Sequence, residues 1–355
     1  MRWTRWVAVG GVCSLAAVVG AWWWLSGPTY IPGALAARQD LQPPGDGLGA
    51  ELRVAPYVVL HAFEDGEGPL TFVVHGGPGR PPDAPWPGLH ALADHRRFLY
   101  VHQRGSGRSA RPVDRPEGDG YWARMTGVEA ALGLGQQLAD IERVRRLAGV
   151  DRIALVGHSF GGFMTVLYAA EFPEHVAELV LVAPAAVLRT PSPEPDLFET
   201  LRARLPEAKR SDFDAFLARY LDFGPARFEH RDSDEAALHD ELGAWYAQAV
   251  PNFSEHPAAA TGGWMITAMY LSMGLRHDYA PALSAITAPT LVVHGSEDLQ
   301  PRSVSESYAR AIPDAELVVI EGAGHAPQVS HPRVFAEQLR SWSSLSRPVQ
   351  TSLVP

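Results

Sequence analysis

A serine flanked by glycines lies in the segment Gly157-His158-Ser159-Phe160-Gly161, and this residue type can act as a nucleophile. The apolar run IALV comes directly before the segment, and a run of small and apolar residues with helical character follows it. A serine in a sharp turn between a strand and a helix is exposed to substrate, and flanking glycines keep the neighbouring backbone from clashing. The segment therefore predicts a nucleophilic Ser159. An ordinary Gly-Ser turn between a strand and a helix is the alternative.

A serine hydroxyl is a weak nucleophile near neutral pH, so it needs a histidine base and a carboxylate that orients the base. In a parallel sheet, functional side chains gather beyond the carboxyl ends of the strands. Asp298 follows the apolar run TLVVHG, and His325 follows the run LVVIEG. We therefore expect Ser159, Asp298 and His325 to form a catalytic triad. Glu297 is the alternative acid, because one residue of register decides which carboxylate faces the histidine.

The segment HGGPG at residues 75–79 breaks an apolar strand with flexible residues and then with a rigid one. Acyl transfer produces an oxyanion, which enzymes stabilise with two backbone N–H groups, one after the nucleophile and one from an early loop. Gly76 and Gly77 would let this loop bring its amides close, while Pro78 would stiffen the turn. Phe160 would supply the second N–H. A Gly-Pro turn that serves only the chain path is the alternative.

The segment HQRGSGRS at residues 102–109 also follows an apolar strand. Its two glycines resemble a phosphate-binding loop, but Ala110 replaces the third glycine of G-x-G-x-x-G, and no P-loop Lys-Ser/Thr pair follows. A nucleotide is therefore not expected here. We expect Arg104 and Arg108 to hold the loop beside the active site through hydrogen bonds to backbone carbonyls.

Short apolar runs typical of buried strands alternate with helical segments over residues 52–187 and again over 287–342. Continuous apolar strands separated by helices predict an α/β protein with a mostly parallel sheet that helices cover on both faces. Between residues 188 and 286 the strand signal disappears, and helical periodicity continues with proline breakers. This pattern predicts an all-helical cap inserted into the core. Residues 343–355 are predicted to form a loose tail.

Residues 1–25 contain an apolar run from Trp6 to Leu25, which as a helix would span about 30 Å and match the hydrocarbon core of a bilayer. Arginines before the run favour an orientation that places the rest of the chain on the extracytoplasmic side. We therefore expect a membrane anchor. The alternative is a cleaved signal and a secreted protein, but the run is longer than a usual signal core. Residues 26–51, rich in Pro, Gly and Ala, are predicted to form a flexible tether.

The composition excludes several other classes of protein. The chain has 30 Lys and Arg against 40 Asp and Glu, a net charge of −10, and no Lys/Arg-rich run, so nucleic-acid binding is not expected. The single cysteine, Cys13, excludes internal disulfides and a cysteine-based zinc site. No metal or organic cofactor is expected. The expected partners are a small peptide or ester substrate and, through the N-terminal helix, a membrane.

Together these motifs resemble the prolyl aminopeptidase (proline iminopeptidase) group of α/β-hydrolases, with HGGPG after an early strand, QRGSGRS about 25 residues later, and a serine, an acid and a histidine in that order. The similarity spans roughly residues 55–340. It implies the α/β-hydrolase fold and a serine nucleophile that cuts the amide bond after an N-terminal proline. It implies a triad of Ser159, Asp298 and His325, with backbone N–H groups of Gly77 and Phe160 as oxyanion donors.

The chain departs from that group at three places. His102 stands where the group commonly has Asp, and Phe160 stands where it commonly has Trp. In that group, acidic residues of the cap bind the substrate amine, and one cap motif pairs Trp with Glu. This Trp–Glu motif is missing from the chain. The candidate replacements are Glu229, Asp240, Glu241 and Glu255.

These residues favour a serine hydrolase that removes N-terminal residues, with proline as one candidate, from short peptides through an acyl-enzyme on Ser159. A carboxylic ester hydrolase with the same triad is the alternative. In that case Trp245, Tyr246, Trp264 and Tyr270 of the cap would line an apolar acyl pocket, although helix packing explains them equally well. A non-catalytic receptor or scaffold that keeps the fold is a third interpretation.

Overall fold

A mostly parallel β-sheet forms the centre of the protein, in a computed structural model that describes residues 26–250 and 258–342. The strands are β1 (Glu51–Ala55), β2 (Val58–Asp65), β3 (Leu70–Val74), β4 (Arg97–Val101), β5 (Ile153–His158), β6 (Val176–Val182), β7 (Arg189–Thr190), β8 (His277–Asp278), β9 (Thr290–Gly295) and β10 (Ala315–Ile320). In these ranges eight of them form one sheet in the order β1-β2-β4-β3-β5-β6-β9-β10. Strand β2 is antiparallel to β1 and β4, and the remaining pairs are parallel.

Helices cover both faces of this sheet. The α-helices of the described residues are α1 (Pro87–His90), α2 (Tyr121–Leu132), α3 (Leu134–Leu147), α4 (Phe160–Glu171), α5 (Leu197–Arg204), α6 (Glu207–Tyr220), α7 (Asp232–Ala249), α8 (Trp264–Met273), α9 (Arg302–Ala311), α10 (Pro327–Ser330) and α11 (Pro332–Ser341). Phe163 and Leu167 of α4 belong to the apolar cluster on one face, and Phe335 of α11 and Leu89 of α1 belong to the cluster on the other. Strands β5, β6 and β9 are therefore buried on both sides, as their continuous apolar sequences predict. The predicted parallel sheet with helices on both faces is confirmed.

The strand order brings the chemistry-bearing loops together. Strand β5 lies between β3 and β6, and Val74 at the end of β3 pairs with Gly157 near the end of β5. Strands β9 and β10 end side by side, with Gly295 opposite Ile320. Because these strands are parallel, the loops that follow them open at the same edge of the sheet.

The insertion between β6 and β9 contains helices α5 to α8 and has its own apolar interior. Phe213 and Phe216 of α6 pack there with Leu299, which belongs to the loop after β9. The structure corrects the all-helical prediction for this insertion, because β7 pairs with β8 in an antiparallel two-stranded ladder. Arg189 of β7 also forms an ion pair with Asp278 of β8 at 2.7 Å. Such pairing satisfies backbone groups where the chain enters and leaves the insertion.

The segment after residue 25 lies against the helices, which corrects the prediction of a flexible tether over 26–51. Tyr30 and Leu35 are buried, with 5% and 2% of their surface exposed. Glu171, at the end of α4, accepts hydrogen bonds from the Tyr30 hydroxyl at 2.7 Å and from the N–H groups of Gly33 at 2.8 Å and Leu35 at 3.1 Å. Proline and glycine prevent regular structure here, but buried side chains and one carboxylate hold the irregular chain in place.

Two predicted segments lie outside the described residues: the membrane anchor or signal at 1–25 and the loose tail at 343–355. Within residues 26–250 and 258–342, no helix combines the length and the apolar character that crossing a bilayer requires. The longest helix of these ranges, α7, spans 18 residues and carries Asp232, Asp234 and Glu235 in its first turn.

Candidate active site

The tight turn between β5 and α4 holds Ser159 in a conformation that non-glycine residues rarely adopt. Its φ is 53° and its ψ is −120°. A Cβ atom on Gly157 would lie 2.5 Å from Thr165 Oγ1, and a Cβ atom on Gly161 would collide with the carbonyl oxygen of Val74. Both glycines of the motif are thus required by the lack of space. The strained turn presents the Ser159 hydroxyl at the edge of the sheet where the loops meet.

His325 and Asp298 form a hydrogen-bonded chain with Ser159. Nε2 of His325 lies 2.9 Å from Ser159 Oγ, and Nδ1 lies 3.0 Å from each carboxylate oxygen of Asp298. Asp298 comes from the loop after β9, and His325 comes from the loop after β10. The structure therefore brings together the three residues predicted from the sequence. With the Nδ1 proton directed to Asp298, Nε2 is free to accept the serine proton.

Only one of the two adjacent carboxylates faces His325. Asp298 is buried, with 7% of its surface exposed, whereas Glu297 is exposed. The backbone N–H of Gln300 donates to Asp298 Oδ1 at 3.0 Å, and the Gln300 side chain donates to the carbonyl of Ala183 at 3.3 Å. The structure therefore selects Asp298 over Glu297. The sequence analysis did not identify Gln300 as a residue that holds the acid. Its position two residues after Asp298 is the only feature of the sequence that points to this role.

Asp298 and His325 stabilise each other's charged forms. Burial alone would raise the pKa of Asp298 and lower the pKa of His325, because burial disfavours both charges. The Coulombic attraction and the hydrogen bond between them outweigh burial. The pKa of Asp298 therefore lies below its ordinary value of 3.8, and the pKa of His325 lies above its ordinary value of 6.5. Asp298 stays ionised at neutral pH and can stabilise an imidazolium at His325.

His158, directly before Ser159, holds the loop that carries His325. Its Nε2 donates a hydrogen bond to the backbone carbonyl of His325 at 2.9 Å, and its ring contacts Trp86 edge-on, with the centroids 5.7 Å apart. Burial, reinforced by repulsion from His325, lowers the pKa of His158 to about 3. The ring is therefore neutral, and its one proton lies on Nε2 to make this bond. Sequence reasoning missed this contact, and the place of His158 at the end of β5 is its only signal.

The loop after β3 lies directly against the nucleophile. His75 anchors it, because its Nε2 accepts the backbone N–H of Gln103 at 3.1 Å and its carbonyl accepts the Gln103 side chain at 2.8 Å. Gly76 approaches so closely that a Cβ atom there would lie 2.8 Å from Ser159 Cβ. Gly77 has a φ of +118°, in the region that favours glycine. The sequence HGG thus meets two separate requirements, close approach and a left-handed backbone.

The predicted oxyanion donors, Gly77 and Phe160, belong to the two segments that meet at Ser159. Phe160 is the first residue of α4, and the first N–H groups of a helix have no acceptor within the helix. Gly77 is exposed, and the loop around it is closed by a hydrogen bond from the Arg80 N–H to the Gly76 carbonyl at 3.1 Å. The Phe160 N–H, at the start of a helix, is suited to an anion beside the serine. The role of the Gly77 N–H as the second donor stays a prediction.

The segment 102–109 is held by carboxylates, where the sequence predicted hydrogen bonds to backbone carbonyls. Arg104 binds Asp140 through two hydrogen bonds, at 2.7 and 2.8 Å, and both residues are buried. Arg108 forms an ion pair with Asp83 at 2.9 Å. Arg104 also donates to one backbone carbonyl, so the prediction is correct only in part for that residue. Both arginines fasten the loop to neighbouring elements.

His102 is a buried, neutral link between two loops at a position where the prolyl aminopeptidase group commonly has Asp. Its Nε2 donates to the carbonyl of Pro82 at 3.1 Å, and its Nδ1 accepts the N–H of Arg108 at 3.1 Å. Burial, together with repulsion from His61, lowers the pKa of His102 to about 4. The histidine thus joins the segment after the HGGPG motif to the segment 102–109 without a charge.

Two of the four cap aromatics singled out in the sequence lie near the catalytic residues. The Tyr246 ring lies 6.3 Å from the His325 ring, and the Tyr270 ring lies 6.1 Å from the Phe160 ring, between centroids. The other two pack inside the cap against further aromatic rings: Trp245 and Trp264. Of these four rings, Tyr246 therefore lies beside the histidine of the triad, and Tyr270 lies beside the residue that follows the nucleophile.

The cap carboxylates proposed to bind a substrate amine contact other side chains. In the described part of the cap, the pairs are Glu229 with Arg124, Glu241 with Arg219 at 2.8 Å, and Asp240 with Thr261 at 2.5 Å. Glu255 lies outside the described residues.

Across residues 26–250 and 258–342, no group of three or more His, Cys, Asp or Glu is arranged to hold a metal ion.

Comparison with known proteins agrees with this geometry. Residues 69–332 match the family model of the alpha/beta hydrolase fold. The chain belongs to the alpha/beta hydrolase fold family. A 2-hydroxymuconate semialdehyde hydrolase of Pseudomonas putida is 30% identical over 300 residues, which cover 83% of this chain and 94% of the relative. Proline iminopeptidase PfmaB of Pestalotiopsis fici is 27% identical and covers 78% and 92%, respectively.

Solved structures of alpha/beta hydrolases share the fold. The esterase EaEST from Exiguobacterium antarcticum has a TM-score of 0.55 at 18% identity, and the match covers 84% of this chain and 100% of the esterase. Several curated relatives named proline iminopeptidase are 24% to 27% identical to this chain, in keeping with the resemblance that the motifs indicate. Relatives with other names match at similar identity, so family membership establishes an alpha/beta hydrolase without establishing which bond it cleaves.

Proposed function

We propose that this alpha/beta hydrolase is a serine hydrolase that cleaves a small carbonyl substrate through an acyl-enzyme on Ser159. The observation that supports the proposal is the continuous hydrogen-bonded chain from Asp298 through His325 to Ser159, with distances of 3.0 and 2.9 Å. A nucleophile, a base and an orienting acid in this order meet the geometric requirement for acyl transfer.

The mechanism follows from these contacts. Ser159 Oγ attacks the substrate carbonyl carbon while His325 Nε2 takes its proton, and Asp298 stabilises the imidazolium that forms. The N–H groups of Gly77 and Phe160 stabilise the oxyanion. His325 then gives the proton to the leaving group, and the acyl-enzyme forms. Water attacks the acyl-enzyme with His325 again as base, which releases the acid and restores Ser159.

A fluorophosphonate probe tests this proposal directly, because it reacts with activated serines. We expect labelling of the wild type and of Ser330→Ala, a matched control at an exposed serine. We expect no labelling of Ser159→Ala. Absence of labelling in a folded wild type would contradict the proposal and favour the non-catalytic receptor or scaffold.

Removal of N-terminal residues from short peptides is the finer activity that the motifs favour. The segments 75–79 and 102–109 resemble those of prolyl aminopeptidases, and several relatives carry the name proline iminopeptidase. The test is cleavage of proline 4-nitroanilide by the wild type, with Ser159→Ala as control. Undetectable anilide cleavage together with rapid hydrolysis of a 4-nitrophenyl ester would contradict this activity and leave the triad mechanism intact.

Hydrolysis of small carboxylic esters is the second candidate, and the state of the cap favours it. Each candidate amine-binding carboxylate of the described cap contacts another side chain. The rings near the catalytic residues, Tyr246 and Tyr270, instead suit an uncharged or aromatic group of a substrate. Turnover of 4-nitrophenyl acetate by the wild type and its loss in Ser159→Ala are expected. Cleavage of proline 4-nitroanilide at a higher kcat/KM would contradict the ester assignment.

A location on the extracytoplasmic side of a membrane is also proposed, from the apolar run at residues 6–25. We expect the full chain to remain in the membrane fraction after washing with alkaline carbonate and to be released by detergent. Recovery of the full-length chain in the carbonate wash would contradict an anchor.

A further inference from the structure

Arg80 is a cation beside the proposed oxyanion loop, and its charge has no partner among the described residues. It follows Gly77 by three residues, and its Cγ would lie 3.1 Å from a Cβ atom on Gly77. In residues 26–250 and 258–342, no carboxylate lies within ion-pair distance of Arg80, and no acceptor receives a hydrogen bond from its guanidinium. By contrast, Arg104 pairs with Asp140, and Arg108 pairs with Asp83. Arg80 is half-buried, so its guanidinium loses part of its hydration. This loss is unfavourable unless a ligand supplies hydrogen-bond acceptors in place of the water.

The Arg80 side chain extends from the loop to helix α7 of the cap. A Cβ atom on Gly243 would collide with Nη1 of Arg80, so the guanidinium lies against the backbone of α7 at that position. Tyr246, one turn further along the helix, contacts the ring of His325. The guanidinium therefore lies between the cap and the core, at the side of the proposed catalytic residues.

His239 supplies a second, independent observation on the same helix, one turn before Gly243. It is 6% exposed, and within the described ranges its Nε2 is buried with no hydrogen-bond partner. Its Nδ1 lies 3.0 Å from the Tyr220 hydroxyl. Burial, reinforced by repulsion from Arg227 and Arg80, lowers the pKa of His239 to about 3, so the ring is neutral. In the tautomer whose Nδ1 accepts the Tyr220 proton, the neutral ring carries its own proton on Nε2, as a donor with no partner in the described ranges.

The local charge limits the kind of ligand that fits. Arg227, the other cation whose charge reaches His239, is neutralised by Glu235 at 2.7 Å, and both of these residues are buried. Among the described residues, the charge of Arg80 is thus not neutralised, and its guanidinium lies against Gly243, one turn after His239 on the same face of α7. A guanidinium fork and one N–H donor match a planar group with a single negative charge, which is the description of a carboxylate.

We propose that Arg80 and His239 Nε2 bind a carboxylate of the substrate, so that this enzyme acts on carbonyl compounds that carry an acid group. The inference rests on the proposed acyl transfer at Ser159 and specifies the substrate class of that site. The same pair repels an ammonium group, so the N-terminal amine of a peptide would not be held here. Arg80 and His239 are specificity residues, because they hold a part of the substrate that does not react.

Binding of a matched pair of ligands tests the carboxylate site without turnover. Hexanoate and hexanamide have the same shape and differ in charge, and their affinities are measured by isothermal titration calorimetry. We expect the wild type to bind hexanoate about 10-fold to 100-fold more tightly than hexanamide, the range expected for charge-assisted hydrogen bonds. Arg80→Gln is expected to reduce this ratio to below about 3, and Arg80→Lys is expected to keep part of it.

The control is Arg202→Gln, which removes an exposed cap arginine paired with Asp214 and leaves the ratio unchanged. His239→Gln is expected to reduce the ratio by about 3-fold to 10-fold. If that variant does not fold, Arg80→Gln still decides the question, because Arg80 makes no side-chain hydrogen bond in the described structure. Equal affinities in the wild type, a preserved ratio in Arg80→Gln, or tighter binding of hexylamine than of hexanoate would each overturn the inference.

The two proposals fail in distinguishable ways. A wild type that binds hexanoate selectively through Arg80 but shows no labelling by the fluorophosphonate probe would refute catalysis at Ser159 and keep the carboxylate site. Labelling of Ser159 with no preference for hexanoate would refute the carboxylate site and keep the hydrolase.

Discussion

Replacing Gly161 with alanine tests whether the turn at Ser159 depends on close contact between α4 and the end of β3. The added methyl group would collide with the carbonyl oxygen of Val74 and lie 2.6 Å from the carbonyl oxygen of His75. Both atoms belong to the backbone of the element that leads into the oxyanion loop. Neither can move away by a simple side-chain rotation, so either the helix or the loop must shift.

The expected magnitude comes from two opposing terms. Overpacking of this kind costs about 1–3 kcal/mol, and the upper end applies where backbone atoms oppose each other. Alanine is favoured over glycine within a helix by about 1 kcal/mol. We therefore expect Gly161→Ala to lose about 2 kcal/mol of the free energy of unfolding. Misplacement of a reacting group by about 1 Å can cost 10²-fold in rate, so we expect kcat/KM to fall by about that factor.

The matched control is Gly127→Ala in helix α2, where the added methyl group meets its nearest atom at 3.7 Å. Gly127→Ala has the same favourable helix propensity of alanine over glycine, without the collision. We therefore expect this variant to be as stable as the wild type or more stable, with unchanged activity. Gly162→Ala, with nearest contacts at 3.2 Å, should lie between the two. Urea unfolding and hydrolysis of 4-nitrophenyl acetate measure these effects. Gly161→Ala with the stability and the activity of Gly127→Ala would refute the reasoning.

Four further outcomes are expected. Asp298→Asn should lower kcat by about 10⁴-fold in ester hydrolysis, because it favours the wrong imidazole tautomer of His325. Glu297→Gln should keep kcat within about 2-fold of the wild type. Similar losses of kcat in both variants would show that the acid is misassigned. Since His325 must be neutral to act as base and its pKa is raised, kcat/KM should increase with pH through a midpoint above 6.5, and a midpoint below 6.5 in a pH–rate profile would contradict this. His158→Phe should lower kcat by about 10-fold with little change in KM, since it removes only the hydrogen bond to the His325 carbonyl; a change confined to KM would speak against a positioning role. Glu171→Ala should lower the free energy of unfolding by about 1–3 kcal/mol and speed proteolysis near residue 30, and unaltered proteolysis would contradict the packing of that segment.

The sheet and the catalytic chain were predictable from local patterns. Ser159, Asp298 and His325 each follow an apolar strand directly, and parallel strands bring such positions to one edge. The acid could not be chosen over Glu297 from the sequence, because a single residue of register separates them. Only the structure shows that the first carboxylate is exposed and the second is buried.

The contacts that sequence reasoning missed join residues whose local sequence carries no signal. Arg80 reaches Gly243 of α7, one turn after His239, only because the cap folds back over the loop after β3, and neither Arg80 nor His239 belongs to a recognisable motif. The short strands β7 and β8 consist of two residues each, too few for an alternating pattern to show. The sequence predicts backbone carbonyls as partners of Arg108, and nothing in the local sequence points to its partner Asp83, which lies in a separate loop.

The course of the chain just after residue 25 determines where a recombinant version of the enzyme should begin. The N–H groups of Thr29 and Tyr30 donate to the carbonyl of Ser272 at the end of α8, and the N–H of Leu275 donates to the carbonyl of Ser26. A version that starts at residue 45 would lose these bonds and uncover apolar surface beneath Tyr30. A start at residue 26 keeps the cap helix α8 fastened to the helix that carries Glu171, so expression trials and crystallisation should use that boundary.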